Sequence, residues 1–374
     1  MSRLARGPHL SISVLALAGL AAVYPPPSLA GDTVQHHYRV AAWWGGPGRE
    51  AGRLHGPQGL DVSGAGEVFV ADADNCRIQI FSDRGRFLRG WGGCSGNQGN
   101  LRKPMDIALG AGGQVYVVDF MLDQVLTFNH QGRLLRRWGS SGTGPGELAS
   151  PVGVAVGRTG DVYVCEFYAH RVQVFTPSGQ FIRVLGGPGD APGRLHYPAK
   201  IAVGPDETVY VVDAHHGRIQ RFDREGRFLD TLGSAGTWTG QFQDPTDLVI
   251  DPNGDLHVAD SGNFRLQWLD RRGRFLAEWA VPRPGGTTFQ SPQGIAAGPA
   301  GYLYVSDAAN DRIYKLQPMT EKGEPHARPQ TQSRPGRSPQ TRPQSRPERS
   351  DSRGSLAGVR RGALGGHPEG RGAD

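Results

Sequence analysis

The stretch VADADNCRIQIF, residues 70–81, places an acid, Asp72, five residues before a base, Arg77, across a short polar turn. Related stretches follow as VVDFMLDQVLTF, VCEFYAHRVQVF, VVDAHHGRIQRF, VADSGNFRLQWL and VSDAANDRIYKL. The acid recurs every 47 residues, at Asp72, Asp119, Glu166, Asp213, Asp260 and Asp307. A catalytic pair needs one copy, so six copies predict a structural unit.

Other residues keep the same period. A proline opens each unit, at Pro57, Pro104, Pro151, Pro198, Pro245 and Pro292. A large apolar residue fills one later position, at Trp44, Trp91, Trp138, Leu185, Leu232 and Trp279. The segments PQGLDV, EVFVAD, RIQIF and GRFLRGWG of the first unit predict four antiparallel strands joined by tight turns. Six such units predict an all-β, six-bladed β-propeller, because stacked blades bury both faces of each sheet.

The two ends of the repeat region predict how the ring closes. The sixth unit stops after RIYKL, residues 312–316, and has no fourth segment. HYRVAAWWG, residues 37–45, carries Trp44 one period ahead of Trp91. We therefore predict that the N-terminal strand completes the last blade, which removes an edge open to aggregation.

Residues 37–316 resemble the NHL-repeat six-bladed propellers, in the form of an exported bacterial-type protein. The resemblance is carried by the opening proline, the acid, and the N-x-R-[IV] turn, which is present in DADNCRI and DAANDRI and, with leucine as its last residue, in DSGNFRL. WD40 and kelch repeats match poorly, since no Gly-His, Trp-Asp or Gly-Gly pair keeps the period. The resemblance implies the fold and leaves the function open.

The residue five places after each acid is basic in five units. These residues are Arg77, Arg171, Arg218, Arg265 and Arg312, while the second unit has Gln124. An acid that ends strand two and a cation that begins strand three can close the turn with charge-assisted hydrogen bonds. We predict that this ring of pairs is structural rather than catalytic.

Residues 1–30 are predicted to be a signal peptide. Arg3 and Arg6 precede the apolar run LSISVLALAGLAAVY, and Ser28-Leu29-Ala30 offers a cleavage site. An uncleaved anchor is the alternative. After cleavage the chain would begin at Gly31 without a membrane span, and we expect it to be secreted or periplasmic.

Residues 31–317 are predicted to form the propeller, and residues 318–374, rich in Arg, Pro, Ser and Gln, a disordered tail. Of the net charge of +6, the tail carries +5 and Arg3 with Arg6 carry +2, which leaves −1 on residues 31–317. The propeller is therefore near neutral. The nucleic-acid binding known in some NHL propellers that it resembles is not expected. The tail is either a solvated spacer or a contact to an anionic envelope surface.

The chain has three cysteines. Cys165 occupies a small core position of strand two. Cys76 and Cys94 lie in two loops that leave a propeller on the same face, and an exported chain permits a disulfide between them. Two free thiols are the alternative.

An enzymatic function is the main alternative to a binding function. The amidating lyases are similar propellers, and in that family histidines after the opening proline help to hold zinc. The matching positions here contain none, being Gln58, Met105, Val152, Ala199, Thr246 and Gln293. Lactonase-like propellers hold calcium at the channel through acidic and amide ligands. Only Asp106 and Asp247 offer carboxylates there, and neighbouring Lys200 argues against a cation, so no metal or cofactor is expected.

The turn after strand two predicts a contact surface. The motif asparagine, present as Asn75, Asn263 and Asn310, is replaced by Leu122, Ala169 and His216 in blades 2, 3 and 4. The same three blades and the loops on their face contribute Phe120, Met121, Phe167, Tyr168, His170, Tyr197, His215, His216 and Trp238. Aromatic residues and methionine on one face are typical of a protein or glycan contact. Packing of each residue on its own turn is the alternative, and a metal on the three histidines is not expected, since their spacing is not that of a ligand set.

We therefore predict a monomeric, non-catalytic binding or scaffold module for a protein or glycan. A divergent metal-dependent lyase or lactonase that uses the mouth of the channel is the second hypothesis, and a nucleic-acid-binding domain is the third.

Overall fold

The computed structural model describes residues 38–94, 100–279 and 289–319. These residues form six antiparallel sheets of four strands each. The first strand of every sheet contacts the first strands of both neighbouring sheets, so the six first strands form a closed ring. This arrangement is the six-bladed β-propeller that the repeat predicts, and that prediction is confirmed.

In blades 1 to 5 the strand that begins at the opening proline is innermost, and the other three strands follow outward in chain order. Blade 1 contains Pro57–Val62, Val68–Asp72, Arg77–Phe81 and Phe87–Gly92. Blade 2 contains Pro104–Leu109, Gln114–Asp119, Gln124–Asn129 and Leu134–Trp138. Blade 3 contains Pro151–Val156, Val162–Glu166, Arg171–Phe175 and Phe181–Gly186. Blade 4 contains Pro198–Val203, Val209–Asp213, Arg218–Phe222 and Phe228–Leu232. Blade 5 contains Pro245–Ile250, Leu256–Asp260, Arg265–Leu269 and Phe275–Trp279.

Blade 6 is built from both ends of the propeller. Its inner strands are Pro292–Ala297, Leu303–Asp307 and Arg312–Pro318, and its outer strand is Tyr38–Gly45. Tyr38 pairs with Pro318 and Trp44 with Ile313 in an antiparallel register. The predicted closure by the N-terminal strand is therefore confirmed.

A few short elements lie between the blade strands. Three 3-10 turns, Ala73–Asn75, Ala214–His216 and Ser261–Asn263, link strands two and three of their blades, and Pro299–Gly301 links the first two strands of blade 6. A small parallel pair joins Ser234–Ala235 to Gln241–Phe242 before blade 5.

The core lies between blades rather than within one blade. Among the described residues, six apolar clusters each join two neighbouring blades. For example, Phe69 and Ile80 of blade 1 pack with Val117 and Phe128 of blade 2. A single four-stranded sheet has no such partner, so each blade depends on its neighbours for burial of its apolar side chains.

A glycine that recurs with the same 47-residue period meets the phased tryptophan across these interfaces. Gly85 of blade 1, at a φ of +79°, lies beneath the ring of Trp44 in blade 6, where an added Cβ would stand 2.7 Å from that ring. Gly132 faces Trp91 and Gly179 faces Trp138 in the same way. Glycine is required here both for its positive φ and for the close approach of the ring.

The ends of the chain lie outside the described residues, as do residues 95–99 and 280–288. The predicted signal peptide and nearly all of the predicted disordered tail fall there. Within the part of the chain that is described, no helix has the length and hydropathy needed to cross a membrane.

Candidate functional site

The acid of each blade is the centre of a buried hydrogen-bond network. Asp72, which is fully buried, accepts hydrogen bonds from Arg77 Nε at 2.7 Å, from Gln79 Nε2 at 3.0 Å and from the His55 backbone N–H at 2.7 Å. Arg77 in turn donates to the carbonyls of Arg49, Glu50 and Arg53 in the loop that enters the blade. The pair therefore closes its turn and anchors the incoming loop.

Four of the five acid–arginine pairs have this geometry. The Nε to carboxylate distances are 2.7 Å in blades 1 and 3 and 2.8 Å in blades 4 and 5. In blade 2, where Gln124 replaces arginine, Asp119 accepts instead from the backbone N–H groups of Arg102, Lys103, Met121 and Leu122.

Blade 6 departs from the prediction. In the described structure Arg312 Nε, the atom that meets the acid in blades 1, 3, 4 and 5, has no hydrogen-bond partner, and the guanidinium lies 4.1 Å from the centre of the Trp43 ring. Asp307 accepts from the backbone N–H groups of Gln290 and Ser291 and from Asn310 Nδ2. The prediction of a fifth acid–arginine pair is therefore wrong, because Arg312 instead makes a cation–π contact with the N-terminal strand.

We expect replacement of Asp260 by Ala to destabilise the propeller by roughly 1 to 3 kcal/mol. The substitution removes the carboxylate that accepts hydrogen bonds from Arg265, Asn263 and Gln267 at 2.8 to 2.9 Å. Urea denaturation measures the loss. Arg312→Ala is the matched control and should cost less, because its partner is an exposed ring. An unchanged stability of Asp260→Ala, together with lost partner binding, would show that this acid belongs to a binding site.

The ring of first strands brings three charged side chains together at its centre. The third residues of these strands are Gly59, Asp106, Gly153, Lys200, Asp247 and Gly294. Lys200 Nζ lies 2.5 Å from Asp106 Oδ1 and 3.2 Å from Asp247 Oδ2, and all three side chains are buried. The ammonium thus stands between the two carboxylates that the lactonase hypothesis would use for a metal.

The electrostatics of this cluster follow from burial and from the lysine. Burial raises the pKa of Asp247 to about 7, while the Lys200 charge acts in the opposite direction. Burial also raises the pKa of Asp106. The two carboxylates raise the pKa of Lys200 above its usual value despite its burial, so the ammonium stays charged.

The aromatic and histidine residues of blades 2 to 4 form one continuous surface. Tyr168 is the middle of the chain of ring contacts, with centroids 6.2 Å from Phe120, 5.2 Å from Phe167 and 6.3 Å from Tyr197. Tyr197 continues it to His170 at 4.6 Å. We call the following set the blade 2–4 surface: Phe120, Phe167, Tyr168, His170, His196, Tyr197, His215 and His216.

The histidine end of this surface lies in blade 4. His196 is stacked on Tyr197 with centroids 4.6 Å apart, and its ring lies 4.1 Å from that of His215. Desolvation, followed by the charges of His215 and His216, lowers the pKa of His196. Desolvation and the charge of His196 lower the pKa of His170. Both rings are therefore held in the neutral form at neutral pH.

Of the nine residues predicted for this surface, seven belong to it, Met121 and Trp238 do not, and one member, His196, was not predicted. Trp238 is exposed, and the described structure shows no ring contact between it and the blade 2–4 surface. Its carbonyl accepts a hydrogen bond from Arg265 in blade 5. His196 was missed, although its position directly before Tyr197 and Pro198 was a usable signal.

The predicted cysteine pair is joined in the structure. Cys76 and Cys94 form a disulfide with Cα atoms 5.1 Å apart, and Cys165 is a buried free thiol. The bond links the strand two to three turn of blade 1 to the loop that leads toward blade 2.

The phased network agrees with a known repeat family. The NHL repeat matches residues 54–81, 148–175, 195–222 and 242–269, and each match contains the acid of its blade and the basic residue five places later. The chain is an NHL-repeat β-propeller. A search among curated proteins found no match to this NHL-repeat propeller.

Solved structures with the same fold include enzymes and binding proteins. The chain is 15% identical to a streptogramin B lyase, with a TM-score of 0.55 over 77% of this chain and 100% of the lyase. It is 16% identical to a gluconolactonase from Xanthomonas campestris, with a TM-score of 0.53 over 70% and 86% of the two chains. It is also 16% identical to an auxiliary nutrient binding protein from Bacteroides thetaiotaomicron, with a TM-score of 0.54 over 72% and 71%. These likenesses establish the propeller fold alone.

Proposed function

We propose that this NHL-repeat propeller is a non-catalytic binding module that captures a protein or glycan partner on its blade 2–4 surface. The observation that carries the proposal is the unbroken series of ring contacts from Phe120 in blade 2 to His216 in blade 4. Tyr168, at its middle, is 55% exposed. Exposed aromatic rings that support one another are suited to act as anchors for a partner.

The second candidate function is a metal-dependent lyase or lactonase that uses the channel mouth. Its support is the pair of central carboxylates and the occurrence of this fold in both kinds of enzyme. Lys200 opposes it, because the ammonium already pairs with Asp106 and Asp247 at the place where a metal would bind. Metal that is bound by the protein and lost after replacement of both aspartates by Asn would support the enzyme.

We propose that the protein acts outside the cytosol, as a secreted or periplasmic monomer. The Cys76–Cys94 disulfide supports this, since such bonds persist in oxidising compartments. The near-neutral charge of residues 31–317 supports a partner other than nucleic acid. The basic tail is proposed as the part that meets an anionic envelope surface.

We expect the double substitution Tyr168→Ala and His215→Ala to weaken partner capture strongly. Each buried aromatic anchor of an interface commonly contributes about 2 kcal/mol or more, which is roughly 30-fold in affinity. The fold should be preserved, because both side chains lie in turns outside the blade core. A pull-down from envelope extract, followed by titration of the purified partner, measures the loss.

Phe264→Ala is the matched control for this experiment. Phe264 is 57% exposed and lies at the equivalent strand two to three turn of blade 5, away from the blade 2–4 surface. Its removal should leave capture unchanged. Equal capture by the double variant, with loss of the partner in Phe264→Ala, would place the binding site on the other side of the ring.

A further inference from the structure

Blade 4 brings three side chains that can bind a metal ion close together. They are Asp190, in the loop that enters the blade, His196, two residues before the opening proline, and His216, which ends the 3-10 turn. One ligand atom from each lies within 4.8 Å of the others. Only His216 of these three was part of the surface predicted from the sequence.

The buried acid of blade 4 positions both histidines. Asp213 Oδ1 accepts the His196 backbone N–H at 2.8 Å, and Asp213 Oδ2 lies 2.9 Å from His216 Nδ1. Asp213 is itself fully buried and held by Arg218. A carboxylate behind a histidine in this way fixes the ring and its tautomer in many metal sites. Here it leaves His216 Nε2 facing Asp190, at 3.0 Å.

The other blades provide an internal comparison, because the repeat supplies the same three positions in each. No other repeat has a His, Asp, Glu or Cys at all three. The residues at these positions are Arg49, His55 and Asn75 in blade 1, Thr143, Ala149 and Ala169 in blade 3, and Thr237, Gln243 and Asn263 in blade 5. Three potential ligands at one blade are therefore not a consequence of the fold.

We propose that Asp190, His196 and His216 bind a divalent transition-metal ion, with zinc as the best fit. Two imidazole nitrogens and one carboxylate oxygen are the ligands of zinc sites that keep a fourth position open for water or for a side chain of a partner. This inference goes beyond the binding function proposed above and does not depend on it.

Only a small movement of side chains is needed for the three ligand atoms to bind one zinc ion. Ligand atoms on a tetrahedral zinc stand roughly 3.3 Å apart, given bonds of about 2.0 to 2.1 Å. The Asp190 side chain is 86% exposed, so it can move the remaining distance without disturbing the core. Binding replaces the hydrogen bond between His216 Nε2 and Asp190 by bonds from both atoms to zinc, and a proton held between them is released to solvent.

The test uses the full-length protein without an affinity tag, stripped with EDTA and titrated with zinc against a chromophoric chelator. We expect one tight equivalent of zinc. His216→Asn should weaken that equivalent by at least about 100-fold, more than the loss of an outer-shell partner typically costs. This variant should fold, because Asn263 in blade 5 makes the same contact to its acid, at 2.9 Å. His196→Ala should have a similar effect on zinc.

His215→Ala is the control, since its ring lies beside the site and is not one of the three ligands. It should retain the one tight equivalent of zinc, and the visible absorption of bound Co²⁺ should persist in it and disappear in His216→Asn. Failure of the wild type to bind one equivalent, or zinc that survives both His216→Asn and His196→Ala, would overturn the proposal. The titration contains no partner, so its failure is distinct from failure of the proposed binding function.

Discussion

Deletion of residues 38–45 is expected to cost the propeller more than any single substitution, with loss of cooperative unfolding or a fall in Tm of about 10 °C or more. The segment is the outer strand of blade 6, and its removal exposes the edge of Arg312–Pro318. It also removes Trp44, which packs against Phe81 of blade 1 and Tyr304 of blade 6 at 6.1 Å each. Thermal unfolding followed by circular dichroism provides the measurement.

Two adjacent tryptophans separate the effect of the core contact from that of the strand. Trp44 is 8% exposed and lies at the interface of blades 6 and 1, whereas Trp43 is 50% exposed. Trp44→Ala should cost about 3 to 5 kcal/mol, as for other buried aromatic residues. Trp43→Ala should cost about 1 kcal/mol, since it loses a partly exposed cation–π contact with Arg312. Equal costs, or an unchanged Tm after the deletion, would contradict closure by this strand.

The second large effect is expected from Lys200→Met, which should destabilise the protein by about 3 to 5 kcal/mol at pH 8. Methionine has a similar length but supplies no positive charge to Asp106 and Asp247, which lie 2.5 and 3.2 Å from the ammonium. Two carboxylates then remain buried without a counter-charge. Urea denaturation of wild type and variant at the same pH gives the difference.

The cost of Lys200→Met should shrink as the pH falls. In the wild type, burial raises the pKa of Asp247 from 3.8 to about 7, so the folded state takes up a proton in this range before the unfolded state does. Stability linked to such a group therefore rises as the pH falls from about 7 toward 4. The Lys200 charge lowers the pKa of both carboxyls, so these pKa values should be higher in Lys200→Met. The stability lost in the variant should therefore be greater at pH 8 than at pH 5.

The triple variant with Lys200→Met, Asp106→Asn and Asp247→Asn is the control, because it removes all three charges with little change in size. Its stability should lie above that of Lys200→Met at pH 8, since neutral amides are less costly to bury than carboxylates. A loss in Lys200→Met that is the same at pH 5 and pH 8 would show that packing, rather than charge, is responsible.

The blade 2–4 surface shows which parts of a candidate site can be predicted from the sequence alone. The sequence shows that three consecutive blades lack the motif asparagine. This pattern is the reason for the prediction of Phe120, Phe167, Tyr168 and the histidines. Their mutual contacts were not visible. His196 and His216 are 20 residues apart and share no repeat position, and they meet because Asp213 holds one by its backbone and the other by its ring.

The repeat phase by itself determined the number of blades, the four strands of each, the acid at the end of strand two, and the closure by the N-terminal strand. These features follow from local rules, because alternation, turn residues and a fixed period act along the chain and need no knowledge of distant contacts. The register of Tyr38–Gly45 against Arg312–Pro318 follows from the same phase.

Only the tertiary structure decided which side chains of different blades meet. Asp106, Lys200 and Asp247 occupy equivalent positions, and their contacts depend on the convergence of the first strands on one axis and on the reach of the lysine side chain. Arg312 has the same place in its repeat as Arg77, yet it lies over Trp43 instead of its acid. A period orders positions along the chain, whereas contacts across the ring depend on side-chain length, rotamer and the neighbouring blade, which no local pattern encodes.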